Sequence, residues 1–215
     1  VARTATNFKP GMTDLRFLEL EIREWLSSPE RKRQLAGEAY YDGTHAVLGR
    51  KRVALDDDGN LVELPHLPNN RLVNNLYAKM VDQKTNYSFG RPFSFDTENA
   101  QYAEALGAVF GSRFRRVMHN VGEGAWIGGK AWLYPYYEGG ELAFKRFPAD
   151  EVLPFWADAD HTRLDAAVHV YMVLEYDEHE KAHDVVKVEV MHGGGVDCFI
   201  LNESGHLEPD NNAIS

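Results

Sequence analysis

The chain has 215 residues, 44% hydrophobic and 12% aromatic, with a formal net charge of -10, which is enough apolar material for one core or two small ones and too much for a wholly disordered protein. Cys198 is the single cysteine, so an intrachain disulfide is excluded, in agreement with folding in a reducing cytoplasm. No stretch approaches the roughly 20 apolar residues that cross a bilayer, and the opening VARTATNFKP has no apolar segment behind a basic start, so a soluble protein is expected.

In chain order, Leu15, Leu18, Ile22 and Trp25 recur at spacings of three and four, predicting an amphipathic helix from Asp14 to Leu26 capped by Thr13. Ser28-Pro29-Glu30 opens a second helix that ends near Tyr41, before the turn signal Asp42-Gly43. Between 46 and 68, Val53 to Leu55 and Leu61 to Leu64 flank Asp56-Asp57-Asp58-Gly59-Asn60, with Pro65 and Pro68 following, and predict a hairpin or loop with these two pieces as short strands. A third helix is expected from Arg71 to about Tyr87, capped by Asn70, with Val73, Leu76, Tyr77, Met80, Lys84 and Tyr87 on one face. Gly90-Arg91-Pro92 stops it, Phe93 to Phe95 is extended, and helices follow at Glu98 to Phe110 and Arg113 to about Glu123.

After Gly128-Gly129 the pattern changes to period two. Strands are predicted at Ala131 to Tyr137, Glu141 to Phe147, Val152 to Trp156, Ala166 to Tyr176, Val185 to Met191 and Val196 to Leu201. Val186, Val188 and Val190 alternate with Lys187 and Glu189, as in an antiparallel strand with one wet face. The fold class is therefore α+β, a helical amino-terminal half followed by a mostly antiparallel β half, with a soft boundary between 1–127 and 128–215.

Charge is unevenly placed: residues 1–137 carry 18 Lys+Arg against 16 Asp+Glu, and residues 138–215 carry 5 against 17. An acidic surface would keep DNA from adhering, and equally serves as a solvated face that aids solubility. The basic triplets Arg31-Lys32-Arg33 and Arg50-Lys51-Arg52 could meet phosphate or an acidic neighbour, or simply be solvated.

Two enzyme motifs occur by letter. His179-Glu180-Lys181-Ala182-His183 matches H-E-x-x-H, which holds zinc when both His lie one turn apart on a helix. Here it sits in a polar stretch between two strands, where a hairpin turn is expected, so a zinc hydrolase is the weakest of the readings carried forward. Gly124-Ala125-Trp126-Ile127-Gly128-Gly129-Lys130 matches G-x-x-x-x-G-K, but Ala131 replaces the Mg²⁺-binding hydroxyl and the segment leads from a helix into a strand, the reverse of a phosphate loop. A glycine turn explains it better. Of the nine His, His161, His169, His179, His183, His192 and His206 are spread over the strand half, where surface or edge positions are expected. No G-x-S-x-G elbow appears, and neither a catalytic residue nor a cofactor or metal set is assigned.

The run Asn69-Asn70-Arg71, Val73-Asn74-Asn75, Val81-Asp82-Gln83-Lys84, Tyr87 and Gly90-Arg91-Pro92-Phe93 resembles the signature of siphovirus-type portal proteins of tailed bacteriophages. Tyr40-Tyr41-Asp42-Gly43 with His45 and Arg50, Ile127 to Trp132, Tyr134 to Tyr137 and Phe147 to Glu151 resemble further pieces of that family in the same order. The resemblance implies a non-enzymatic subunit of a homo-oligomeric ring, typically dodecameric, at the portal vertex of the virion, made in the cytoplasm of the bacterial host. Double-stranded DNA would be packaged and ejected through that ring. Its implied partners are the large terminase subunit, scaffold or major capsid protein, and head-completion proteins. Residues 1–215 would cover the amino-terminal wing region and stop before the stem and clip. Asn70, Arg71, Asn74, Asn75, Asp82, Lys84, Tyr87, Gly90, Arg91 and Pro92 are the candidate residues for subunit contact or fold anchoring, Asn74 and Asn75 because asparagine inside a helix suggests side-chain hydrogen bonds elsewhere. A stand-alone capsid-associated binding module is the alternative.

Overall fold

A computed structural model of the chain describes residues 15–176 and 181–211. The order of elements is α1 (Leu15–Leu26), α2 (Pro29–Tyr41), a 3-10 turn (Ala46–Gly49), β1 (Val53–Leu55), β2 (Leu61–Glu63), α3 (Leu76–Phe89), α4 (Ala100–Val109), α5 (Ser112–Gly128), then β3 (Trp132–Glu138), β4 (Glu141–Phe147), a 3-10 turn (Ala149–Glu151), β5 (Val152–Trp156), β6 (Leu164–Tyr176), β7 (Ala182–His192), β8 (Gly195–Leu201) and β9 (Leu207–Pro209). The protein is α+β, helical first and antiparallel second. Thr13, the expected cap of α1, lies outside the described residues.

Contacts divide the chain into two compact units, one of residues 1–33 and 130–215 and one of residues 34–129. The glycine turn after α5 is one seam; the other falls inside α2, so α1 and the start of α2 group with the sheet rather than with the helices that follow them. Hydrophobic burial is the reason. Leu18, Ile22 and Trp25 of α1 enter one core with Leu153 and Phe155 of β5, Ala166, Val168 and Val170 of β6, Val188 and Val190 of β7, and Leu207 of β9. Burying three such side chains is worth several kcal/mol, at about 1.5–3 each.

The five strands β5-β6-β7-β8-β9 form one antiparallel sheet, and β3-β4 a separate hairpin. β9 was not expected, because Leu207-Glu208-Pro209 is too short for alternation to register. The face of β7 carrying Lys187 and Glu189 is not wet as expected but half-buried, with Lys187 bonded to Glu175 at 2.7 Å and to Asp210 at 2.8 Å.

In the other unit, α3 and α5 pack together closely through glycine. A Cβ on Gly122 would lie 2.2 Å from the Phe89 ring, and a Cβ on Gly37 of α2 would lie 2.5 Å from the Ile127 carbonyl oxygen. Gly122 and Gly124 are buried inside α5, so the helix continues to Gly128 instead of ending near Glu123. Gly129 then closes it with φ of 77°, a left-handed turn that glycine adopts without strain.

Two glycine substitutions should therefore have opposite signs. Gly37→Ala pushes a methyl group into backbone and is expected to cost about 1–2 kcal/mol. Gly107→Ala, in α4 with open space around it, should gain about 0.5 kcal/mol from helix propensity. Urea unfolding midpoints of both variants check the pair; a Gly37→Ala protein as stable as the parent would contradict the close approach of α2 and α5.

Candidate functional site

The segment from Asn69 to Phe95 is built differently from the long helix expected of it. Residues 69–75 have no regular structure and α3 begins at Leu76, with Asn75 rather than Asn70 as its N-cap. Asparagine gains more by capping than by continuing a helix, because its short side chain competes for backbone hydrogen bonds. Asn75 Oδ1 accepts from the Ala78 amide at 3.0 Å, while its Nδ2 donates to the Tyr41 carbonyl at 2.7 Å. The one side chain thus starts α3 and ties it to the end of α2. Asn74 is exposed and outside the helix, against its expected place within one.

Other polar members of the run grip the same stretch of chain. Asn69 Nδ2 donates to the Arg50 carbonyl at 2.8 Å and Arg71 donates to the Leu48 carbonyl at 2.8 Å. The Tyr41 hydroxyl donates to Asp82 at 2.8 Å, with a Glu123 carboxylate oxygen 3.3 Å away. Burial and these two acids hold the Tyr41 hydroxyl well above the usual phenol range. Lys84 lies 4.5 Å over the Trp126 ring, and Tyr77 donates to the Ile127 carbonyl at 3.4 Å. Gly90 is needed for space: its φ is an ordinary -73°, but a Cβ would come within 2.3 Å of the Asn86 carbonyl oxygen. Asn70, Arg91 and Pro92 are exposed.

The inner face of α3 is not the one that spacing marks out. Val81 and Thr85 are buried, whereas Leu76, Met80 and Tyr87, expected to share one face, are exposed. Spacing identifies a stripe but not which side of the helix meets the core, and Asn75 and Asp82 set that side here.

The most unusual titratable group is one that composition placed at the surface. His169 on β6 is 3% exposed, with Nδ1 3.1 Å from Glu189 Oε2 and Nε2 3.0 Å from Glu151 Oε2. A neutral imidazole has one N–H, so it could satisfy only one carboxylate; both contacts require the imidazolium. Burial opposes that charge, but the two carboxylates outweigh it and raise the His169 pKa. The hydrogen bond from His169 in turn lowers that of Glu189 against its own burial. The ring centroids of Phe147 and Tyr171 are 4.0 Å and 4.4 Å from that of His169, and Tyr171 donates to Glu189 at 2.8 Å. One cross-strand pair, His169 opposite Glu189, was the available signal, and it needed the register to be known.

A family model described as "Phage portal protein, SPP1 Gp6-like" matches residues 27–206. The chain belongs to this family. The portal protein of Clostridium phage phiCD119 is 28% identical over 171 residues, covering 74% of this chain and 37% of the relative. The portal protein of Bacillus phage SPP1 is 26% identical over 132 residues, covering 61% of this chain and 26% of the relative. The chain thus spans well under half the length of either portal protein.

Within this portal-family chain the enzyme letters lack their settings. His179 and Glu180 lie outside the described residues, and His183 is on β7, paired with Glu175. Among the described residues no cluster of His, Cys, Asp and Glu is arranged to hold a metal ion. Lys130 of the G-x-x-x-x-G-K match is bonded to Glu30 at 2.5 Å, after α5 and before β3. The basic triplets are partly structural: Arg31 donates to the Asp150 carbonyl at 2.9 Å, Lys51 pairs with Glu63 at 2.8 Å and Arg52 donates to the Pro68 carbonyl at 2.8 Å. No described helix is long and apolar enough to cross a membrane.

Two outcomes test these anchors. Asn75→Ala removes both a cap and a tie and should cost about 1–2 kcal/mol in urea unfolding; Asn75→Asp keeps the acceptor but not the donor and should fall between. For His169, whose folded pKa is raised, the stabilisation is full below the unfolded value near 6.5 and is lost as pH rises through the folded value. Glu189, whose folded pKa is lowered, adds stability above about 4.5 that disappears as pH falls through its folded value. The thermal midpoint measured against pH should thus fall on the alkaline side of 6.5, and His169→Gln should flatten that limb.

Proposed function

We propose that this chain forms the wing region of a portal ring subunit, a passive conduit through which double-stranded DNA is packaged into and ejected from a phage or prophage capsid. Family membership over residues 27–206 carries this reading. The ring would sit at the portal vertex of the virion, after synthesis in the host cytoplasm. Its partners would be the large terminase subunit, scaffold or major capsid protein, and head-completion proteins. The subunit itself would do no chemistry: the force on DNA would come from the terminase. The acidic excess of residues 138–215 supports a conduit role, since a wall that bound phosphates through many cations would hold its cargo with steeply salt-dependent strength.

Asn69, Arg71, Asn75 and Asp82 act in this reading as fold anchors, because their side chains are spent on carbonyls and a hydroxyl of residues 41–50. Lys84 and Tyr87, which face outward, are left for subunit contact. A capsid-associated module outside any ring is the competing reading. Electron microscopy of the full-length protein separates the two. Closed rings are expected, and a full-length protein that stays monomeric in the presence of its capsid partners would overturn the portal reading.

A further inference from the structure

Among the exposed apolar side chains of residues 34–129, two groups share a regular element, and they differ in kind. The first is the β1–β2 hairpin. Its pairs Val53–Glu63, Ala54–Val62 and Leu55–Leu61 place Val53, Leu55 and Leu61 on one face and Ala54 and Val62 on the other, yet Leu55 and Leu61 are 69% and 71% exposed. A two-stranded ribbon of three residues per strand is marginal in water without a covering partner. The second is the outer stripe of α3, where Leu76, Met80 and Tyr87 are 56%, 58% and 93% exposed, beside the half-exposed Trp126.

We infer that the β1–β2 hairpin of one copy of this chain packs on the outer stripe of α3 of the next copy. The inference rests on the ring reading and names the surfaces that would close the ring. A head-to-tail contact needs two different patches on every subunit, whereas a two-fold dimer needs one patch that matches itself. Flat apolar ribbon against apolar helix stripe is a pair of the first kind. Charge points the same way. The hairpin tip is Asp56-Asp57-Asp58, of which Asp56 is occupied in capping the turn through the Asp58 and Asn60 amides, leaving Asp57 and Asp58 outward. The stripe is flanked by the exposed Lys79 and Lys84. Opposite charges at the rim fix the direction and register of a contact whose apolar centre supplies the affinity.

Cross-linking between copies tests this, starting from a chain in which Cys198→Ser removes the one native thiol. Leu55→Cys and Met80→Cys are prepared as separate variants and treated with a short bismaleimide at high protein concentration. A cross-linked dimer is expected when the two variants are mixed, in about tenfold excess over either alone, and a ladder of larger species when both substitutions are in one chain. Asp57→Lys with Asp58→Lys should lower the mixed yield several-fold, and Lys79→Glu with Lys84→Glu on the α3 partner should restore it. Equal self-cross-linking of each single variant would replace the head-to-tail contact with a two-fold one. Oligomers without the mixed cross-link would overturn the assignment of surfaces while leaving the ring standing. A chain that gives neither oligomers nor the cross-link would show that something other than a second copy covers these faces, whereas the ring itself is judged on the full-length protein.

Discussion

Asn75 is the residue on which the helical unit turns. Its acceptor begins α3 and its donor holds the last carbonyl of α2, so the start of one helix and the end of another are fixed by a single side chain. The consequences spread along α3. With the helix started at Leu76, Asp82 reaches the Tyr41 hydroxyl, Val81 and Thr85 turn inward, and Phe89 arrives over the bare backbone of Gly122. Starting the helix at Arg71 would leave the Tyr41 carbonyl without this donor and put Asn75 in a helix interior, where it is disfavoured.

The sheet unit solves a different problem, how to keep charge inside. An ion buried alone costs several kcal/mol, and pairing offsets this only if the remaining hydrogen-bonding capacity is also met. His169 meets that condition because each of its ring nitrogens has a carboxylate, and the rings of Phe147 and Tyr171 pack beside it. The group joins three parts of the fold: Glu151 from the 3-10 turn before β5, His169 from β6 and Glu189 from β7. Slipping β6 against β7 by one residue would separate His169 from Glu189 and leave a buried charge half-paired. The apolar side of the sheet drives it together with α1; the polar side makes one register better than its neighbours.

Period-two alternation made six of the seven described strands of the β half legible, whereas the β1–β2 segment read from its aspartate-glycine turn as either a hairpin or a loop. These features are local, so sequence carries them. What could not be read depended on distant partners. Gly122 and Gly124 look like helix breakers until Phe89 is brought against the helix. His169 looks like one of several scattered histidines until Glu151 and Glu189 converge on it. The grouping of α1 with the sheet required knowing that more than a hundred residues later there would be a surface to cover its stripe.

The outward stripe of α3 has the wider lesson for function. A core and a subunit contact make the same demand on a helix, a stripe of apolar side chains at spacings of three and four, so Leu76, Met80 and Tyr87 were indistinguishable by pattern from residues bound for the interior. Only the polar ties of Asn75 and Asp82 decide which side of the helix turns inward, and those ties belong to the block through which the chain resembles portal proteins. The recognisable letters are therefore tied up in bonds within the chain, while the α3 stripe and the hairpin are left outward. An exposed Leu or Tyr alone needs no explanation; a row of them along a helix that is locked in place by other residues does.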